Sequence, residues 1–194
     1  RYPQILDSFK PHEIGYHSTS HSIRPNIFEY TDLESYQEAY LTSLKREVAH
    51  INPLSGEIEG RGGIELLRDS FPQKKIEAFR SPGFSWSPPH LEALRSLGFK
   101  YDFSADLSKI PVYYKGITFY PYPVLIDAMN YKKLLKSILR EKVTVLDYHP
   151  NFFAYKEWWD RPFFSNRRPY ELVKSLPRKW EQTKKMFLRF EALL

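Results

Sequence analysis

The feature that most restricts the fold of this chain is an alternation of short β-branched or aromatic runs with segments of helical periodicity. Residues 13–17, 76–79, 99–103, 111–122 and 143–148 read as strands, the fourth as one or two strands rich in Tyr and Phe. Helical segments fall between them. A strand followed by a helix and another strand implies parallel strands joined by crossover helices, so the expected class is α/β. In such folds chemistry collects at the C-terminal ends of the strands. Three expected strand ends carry chemically capable side chains, namely His17 with His21, Arg80, and His149, and Asp102 lies within a fourth strand.

The helices can be read in more detail. A short amphipathic segment over 2–9 is the end of a helix. Thr31 and Glu34 have capping-box spacing, and Leu33, Tyr36, Tyr40, Leu44, Val48 and Ile51 then recur at helical intervals until Asn52-Pro53 stops them. Glycines over 60–63 lack the pattern of a phosphate-cradling loop and read as a turn. A short helix follows over 64–71. Pro88-Pro89 opens a helix over 90–97 with Gly98 as its stop, and further helices are expected over 131–140, 170–176 and 179–194. No repeat, low-complexity segment or interdomain linker interrupts the pattern. The 194 residues therefore read as a single domain, 1–194, with a helical end from about residue 168.

Composition excludes several classes of function. With no cysteine, disulfides, thiolate metal sites and cysteine nucleophiles are ruled out, and any metal must be held by His and carboxylates. A net charge of +6 suits anionic partners, an acidic glycan among them. Yet the basic residues are spread along the chain and match no nucleic-acid motif, so no nucleic-acid partner is expected. No apolar run is long enough to span a membrane, and no signal peptide is visible; the compartment, cytoplasmic or cell surface, stays open. Aromatic residues reach 16%, which suits either a sugar-binding cleft or an ordinary core.

The strongest constellation is His17-Ser18-Thr19-Ser20-His21. Two His four residues apart meet on one side of a helical turn, and catalytic zinc sites combine imidazoles with an oxygen ligand and an open position. The surrounding Pro11-His12-Glu13-Ile14-Gly15-Tyr16-His17 resembles the metal-binding motif of NodB-type polysaccharide deacetylases, the fourth carbohydrate esterase family, in which a GHEIGNH-like stretch leads into a His-(Ser/Thr)-x-x-His pair. Pro11 replaces the first glycine and Tyr16 the usual Asn. Other stretches resemble further family motifs in the right order: Arg80-Ser81-Pro82-Gly83, then Tyr101-Asp102, then Leu146-Asp147-Tyr148-His149-Pro150. The resemblance covers roughly residues 1–155. His12, His50 and His90 match no motif and are assigned no function.

The resemblance implies a β/α barrel and a reaction, hydrolysis of an N-acetyl or N-formyl group on an amino sugar of a glycan or glycolipid. It implies Zn²⁺ or another divalent metal on His17 and His21, Arg80 orienting a catalytic base, and the Gly83 N–H stabilising the oxyanion. It also implies His149 as general acid, held by Asp102 within hydrogen-bonding reach, and Leu146 lining the acyl pocket. The family's first motif, a strand end with two adjacent Asp residues that supply the base and the third metal ligand, has no match. The expectation is therefore an incomplete or distorted barrel lacking its first strand or strands, with little turnover by this chain and a tendency to form homo-oligomers through its open seam. The other reading is a catalytically inactive, deacetylase-like carbohydrate-binding or scaffold protein. The Pro-rich aromatic run over 111–123 departs from the chitin-type pattern and leaves a non-sugar amide or a lipid-linked sugar as further substrates.

Overall fold

The computed structural model describes residues 3–19, 33–52, 55–84, 86–104, 110–121, 124–125, 136, 139–140, 145–147, 149 and 180–191. The chain divides into two compact units, residues 1–122 and 123–194. In the first unit, helix α1 (Pro3–Phe9) precedes strand β1 (Gly15–Tyr16). Helix α2 (Tyr36–Val48) runs into a β-ribbon of β2 (Ala49–Ile51) and β3 (Ile58–Arg61), and helix α3 (Gly63–Ser70) follows. Then come β4 (Ala78–Phe79), a tight turn at Pro82–Phe84, helix α4 (Pro88–Ser96), β5 (Tyr101–Asp102), and the hairpin of β6 (Val112–Tyr114) and β7 (Ile117–Phe119).

Apart from the β2–β3 ribbon, these strands form a five-stranded sheet in the order β1-β4-β5-β7-β6. The pairs β1–β4, β4–β5 and β5–β7 are parallel, and only β6–β7 is antiparallel. The protein is thus α/β with a mixed, mostly parallel sheet, as the alternation of elements requires. The run over 111–122 becomes two strands because Lys115 and Gly116 both take positive φ, 46° and 87°. This pair of left-handed residues is what a two-residue hairpin turn needs.

One face of the sheet and the helices enclose the core. Tyr16, Phe79, Ile117 and Phe119 come from the strands, Ile64 from α3, Leu91 and Leu94 from α4, and Ile76 and Phe99 from the approaches to β4 and β5. Phe79 meets Phe99 edge-on at 5.8 Å, and Phe99 stacks on Tyr16 at 5.7 Å. Such aromatic contacts add to the burial of their large apolar area. The opposite face carries Tyr101, Phe103 and Tyr120, the last two stacked at 4.7 Å, along a cavity of about 490 Å³.

Helix α2 departs from the sequence reading at both ends and in its buried face. Its N-cap is Ser35, whose side chain accepts from the Glu38 N–H at 3.3 Å. Ser35 and Glu38 repeat the Thr31 and Glu34 spacing four residues later, so the local pattern alone fits either start. Thr31 lies outside the described residues, and Leu33 and Glu34 precede the helix. The helix ends at Val48, and Ile51 belongs to β2. Its buried positions are Ala39, Ser43, Arg46 and Glu47. The expected core residue Tyr36 is 47% exposed and donates its hydroxyl to Glu92 of α4 at 2.7 Å. The small Ala39 and Ser43 let α2 approach its neighbours closely, while Tyr36 rides at the rim with its hydroxyl on Glu92.

The glycine-rich stretch over 60–63 is partly strand. Gly60 and Arg61 belong to β3, and Gly62 is the N-cap of α3. The Gly62 N–H donates to the Val48 carbonyl at 2.8 Å, and a methyl group there would overlap the Glu47 carbonyl and the Val48–Ala49 peptide. Only glycine permits this contact between the ends of α2 and β3.

The second unit contains β8 (Val124–Leu125) paired in parallel with β9 (Leu146–Asp147), and helix α5 (Trp180–Glu191). Within the expected strand over 143–148, Asp147 is buried and Leu146 is 37% exposed. The expected helix over 170–176 lies outside the described residues, as does most of that over 131–140. No helix among the described residues is long and apolar enough to cross a membrane.

Because the Gly62 contact is backbone against backbone, Gly62→Ala is expected to lower stability by about 1–3 kcal/mol, the range for overpacking a filled site. Gly56→Ala removes a glycine at φ 73 with open space around it and serves as the control. The check is urea unfolding. Gly62 has an ordinary φ of −71°, so a Gly62→Ala variant as stable as the parent would refute the close-packing assignment.

Candidate functional site

The register of the sheet aligns Tyr16, Phe79, Asp102 and Phe119 in one row across four parallel strands. The ladder continues one step beyond it. Arg80 N–H donates to Tyr16 O at 2.9 Å, Phe103 N–H to Phe79 O at 3.0 Å, and Tyr120 N–H to Asp102 O at 2.8 Å. The next row is therefore His17, Arg80, Phe103 and Tyr120. Period-two alternation turns it toward the face opposite the core. Residues distant in sequence, His17 and Arg80 among them, are brought together at the C-terminal edge of the sheet.

The contact between these two is specific. His17 Nδ1 lies 2.7 Å from the Arg80 carbonyl oxygen. A carbonyl only accepts, so the ring carries a proton on Nδ1. The Arg80 guanidinium sits over the Phe84 ring, 4.5 Å from its centre. That cation–π contact turns the side chain along the loop that leaves β4. Within this loop Ser81 and Pro82 are buried and Gly83 is exposed. Gly83 takes φ 59° and Phe84 φ 58°, so two successive left-handed residues reverse the chain.

Asp102 is buried, with 1% exposure, in the row that faces the core. Its Oδ1 accepts the Ser104 N–H at 2.7 Å, which forms an Asx turn at the end of β5. The Ser104 hydroxyl lies 3.2 Å from Asp102 Oδ2 and accepts the Ser81 N–H at 2.5 Å. Asp102 thereby ties the turn after β5 to the loop that carries Arg80 and Gly83. His149 is half-buried and follows β9 in the second unit, to which Leu146 also belongs. His21 lies outside the described residues. Among the described residues, no group of three or more His, Asp or Glu could hold a metal ion.

The sequence reading missed a polar cluster behind His17. Glu47 of α2 and His90 of α4 are both fully buried, at 0% exposure, with His90 Nε2 3.1 Å from Glu47 Oε1. The Tyr16 hydroxyl donates to Glu47 Oε2 at 2.7 Å, and the Ser18 hydroxyl reaches both carboxylate oxygens at 3.1 and 3.2 Å. Thr19 Oγ1 lies 2.7 Å from Tyr16 OH and accepts the Gly63 N–H at 2.6 Å, which caps the start of α3. Ser18 has φ 64°, a left-handed conformation that costs a non-glycine residue roughly 1–3 kcal/mol and that surrounding contacts must hold in place. The carboxylate stands between the hydroxyl and the imidazole, so this is not the order of a nucleophilic triad, in which His touches the hydroxyl.

A signal for this cluster was present but faint. Glu47 follows Ala39 and Ser43 at four-residue spacing, and His90 shares a helix face with Leu91 and Leu94. Two polar residues on the core faces of two helices suggest a buried pair. The Tyr16 ring fills the core and its hydroxyl reaches Glu47.

Comparison with protein-family models, with curated proteins and with solved structures yields no match to this chain.

Burial, and then the Glu47 charge, pushes the Tyr16 phenol far above its ordinary range. Below pH ~10, where an unfolded Tyr begins to ionise, both states keep the proton and the contribution to stability is fully present. Above it the unfolded chain binds fewer protons than the folded one. Stability then falls by about 1.4 kcal/mol per pH unit for this group, until the folded value is reached. Tyr16→Phe is expected to be less stable at pH 8 but to lose stability less steeply between pH 9.5 and 11. Urea midpoints across that range provide the check; parallel curves would refute the assignment.

Proposed function

We infer that this protein is a metal-dependent, polysaccharide-deacetylase-like hydrolase that removes an acetyl or formyl group from the nitrogen of an amino sugar, on a β/α-barrel scaffold. The observation that supports this reading most is the hydrogen bond from His17 Nδ1 to the Arg80 carbonyl. Metal-ligating imidazoles typically donate their second ring N–H to a carbonyl or carboxylate, which orients the ring and presents the other nitrogen. His17 meets that requirement at the C-terminal edge of parallel strands, where α/β enzymes place their chemistry. The mostly parallel sheet agrees with part of a barrel wall. The open aromatic face of Tyr101, Phe103 and Tyr120 suits the apolar faces of sugar rings.

The residues that would hold the implied metal are His17 and His21; two imidazoles without a thiolate would suit Zn²⁺ or a similar divalent ion when an oxygen ligand completes them, and that ligand, like the base, is assigned to no residue of this sequence. Bound there, such an ion supplies Lewis acidity toward an amide carbonyl and acidifies a water.

The chain's own residues have separate tasks in this reading. Arg80, steered by Phe84, orients the base that takes a proton from water. Residues 1–194 contain no Asp-Asp pair, so the base is assigned to no residue of this sequence. The Gly83 N–H, on a turn anchored by Ser81 and Ser104, donates to the oxyanion. In the role the resemblance implies, His149 gives its proton to the departing amine as the C–N bond breaks, and Leu146 lines the acyl pocket. The carbohydrate substrate is the partner, and nothing in this scheme calls for nucleic acid.

Zinc titration of the protein is expected to show one site that His17→Ala or His21→Ala abolishes. Acetate or formate release from N-acetyl and N-formyl amino sugars is expected to be low for this chain, because no residue of it is assigned as the base, and to fall further in His149→Ala, by up to the ~10²- to 10⁴-fold that a general acid usually contributes. Binding of amino-sugar oligomers with neither metal nor release would instead identify an inactive carbohydrate-binding protein.

A further inference from the structure

We propose that Glu47 is the positioning residue of the candidate metal ligand His17: it grips both chain neighbours of His17 from the core side and so presents the imidazole outward. The inference rests on the metal-site reading above and names a residue that the resemblance does not supply.

Tyr16 and Ser18 flank His17. Glu47 holds both flanking hydroxyls at once, Tyr16 at 2.7 Å and Ser18 at 3.1 and 3.2 Å. With 16 and 18 drawn inward, the side chain of 17 is directed away from the core, and its Nδ1 reaches the Arg80 carbonyl at 2.7 Å. The Ser18 hydrogen bonds also hold the left-handed φ of 64° just beyond β1. Thr19, bonded to Tyr16 OH and to Gly63 N–H, fixes the following residue against α3.

A carboxylate is required for this task. Its two oxygens offer about four acceptor positions, and an amide has one accepting oxygen and a donating NH₂. Here the donors are the Tyr16 and Ser18 hydroxyls, and His90 Nε2 stands 3.1 Å from Oε1. Glu47→Gln keeps the shape but turns an NH₂ toward a donor. His90, on a different helix, keeps the carboxylate from rotating out of place. Glu47 thus acts on the candidate metal through His17 and does not touch it.

The test uses two readouts on the same chain, with Co²⁺ as the probe metal. In metal-free protein, ¹⁵N–¹H NMR of the His17 ring, assigned by its loss in His17→Gln, is expected to show the Nδ1–H tautomer. A mixture of tautomers is expected in Glu47→Gln and in Ser18→Ala. Co²⁺ titration followed by visible absorption is expected to show about 10- to 100-fold weaker binding in both variants, the usual effect of losing an outer-shell partner. If Glu47→Gln does not fold, Ser18→Ala decides, because it removes one half-buried hydroxyl and leaves the core intact. Unchanged tautomer and unchanged Co²⁺ affinity in a folded variant would overturn the proposal, even if stability fell. If the parent protein binds no Co²⁺ while the variants still lose the Nδ1–H tautomer, the metal-site reading fails and the positioning role stands.

Discussion

A buried carboxylate organises the first unit of this protein. Glu47 lies at the C-terminal end of α2 with no exposure, and such a group is tolerable only when its acceptor capacity is met. Tyr16 of β1 and Ser18 just beyond it donate hydroxyls to it, and His90 of α4 stands within hydrogen-bonding distance. Three elements are thereby tied to one side chain. The same residue's carbonyl borders Gly62, which has no side chain to intrude there. A network of this kind has high stakes, because losing one member leaves the others buried with fewer partners.

The sheet adds a second constraint, its register. Parallel pairing aligns Tyr16, Phe79, Asp102 and Phe119, so the residues one step further on lie side by side at the strand ends. A slip of one residue in any strand would exchange the core row for the site row. The aromatic packing of Tyr16, Phe79 and Phe99 guards against that slip and so also guards the position of His17 beside Arg80. Asp102 is the polar exception in the core row. Its Asx turn with Ser104 places a hydroxyl under the Ser81 N–H, which links the end of β5 to the loop after β4.

Element order was largely legible because it depends on short-range patterns. The β-branched and aromatic runs, the Pro88-Pro89 helix start and the stop at Gly98, with φ 91°, all express local backbone preference. The start of α2 was misplaced because Ser35 with Glu38 repeats the spacing of Thr31 with Glu34, and only the surrounding fold selects between them. Its buried face was misjudged for a related reason. Tyr36 looks apolar in sequence, but its hydroxyl reaches Glu92 at the surface, and the interior positions go to the small Ala39 and Ser43, which permit close approach, and to Arg46 and Glu47, which are hydrogen-bonded there.

The sequence by itself determined the class of fold and the inventory of chemical groups. Periodicity sets which segments become strands or helices, and a chain without cysteine can hold a metal only through His and carboxylates. It also put His17, Arg80 and Asp102 at or near strand ends, since each follows or closes a short strand pattern. The tertiary structure decided which of these groups meet. That His17 Nδ1 bonds the Arg80 carbonyl depends on β1 pairing with β4 across sixty-three positions of sequence, and that Glu47 stands behind Tyr16 and Ser18 depends on how α2 packs. Local propensity carries no information about such pairings, because their energy comes from burial and hydrogen bonds that exist only once distant segments have come together.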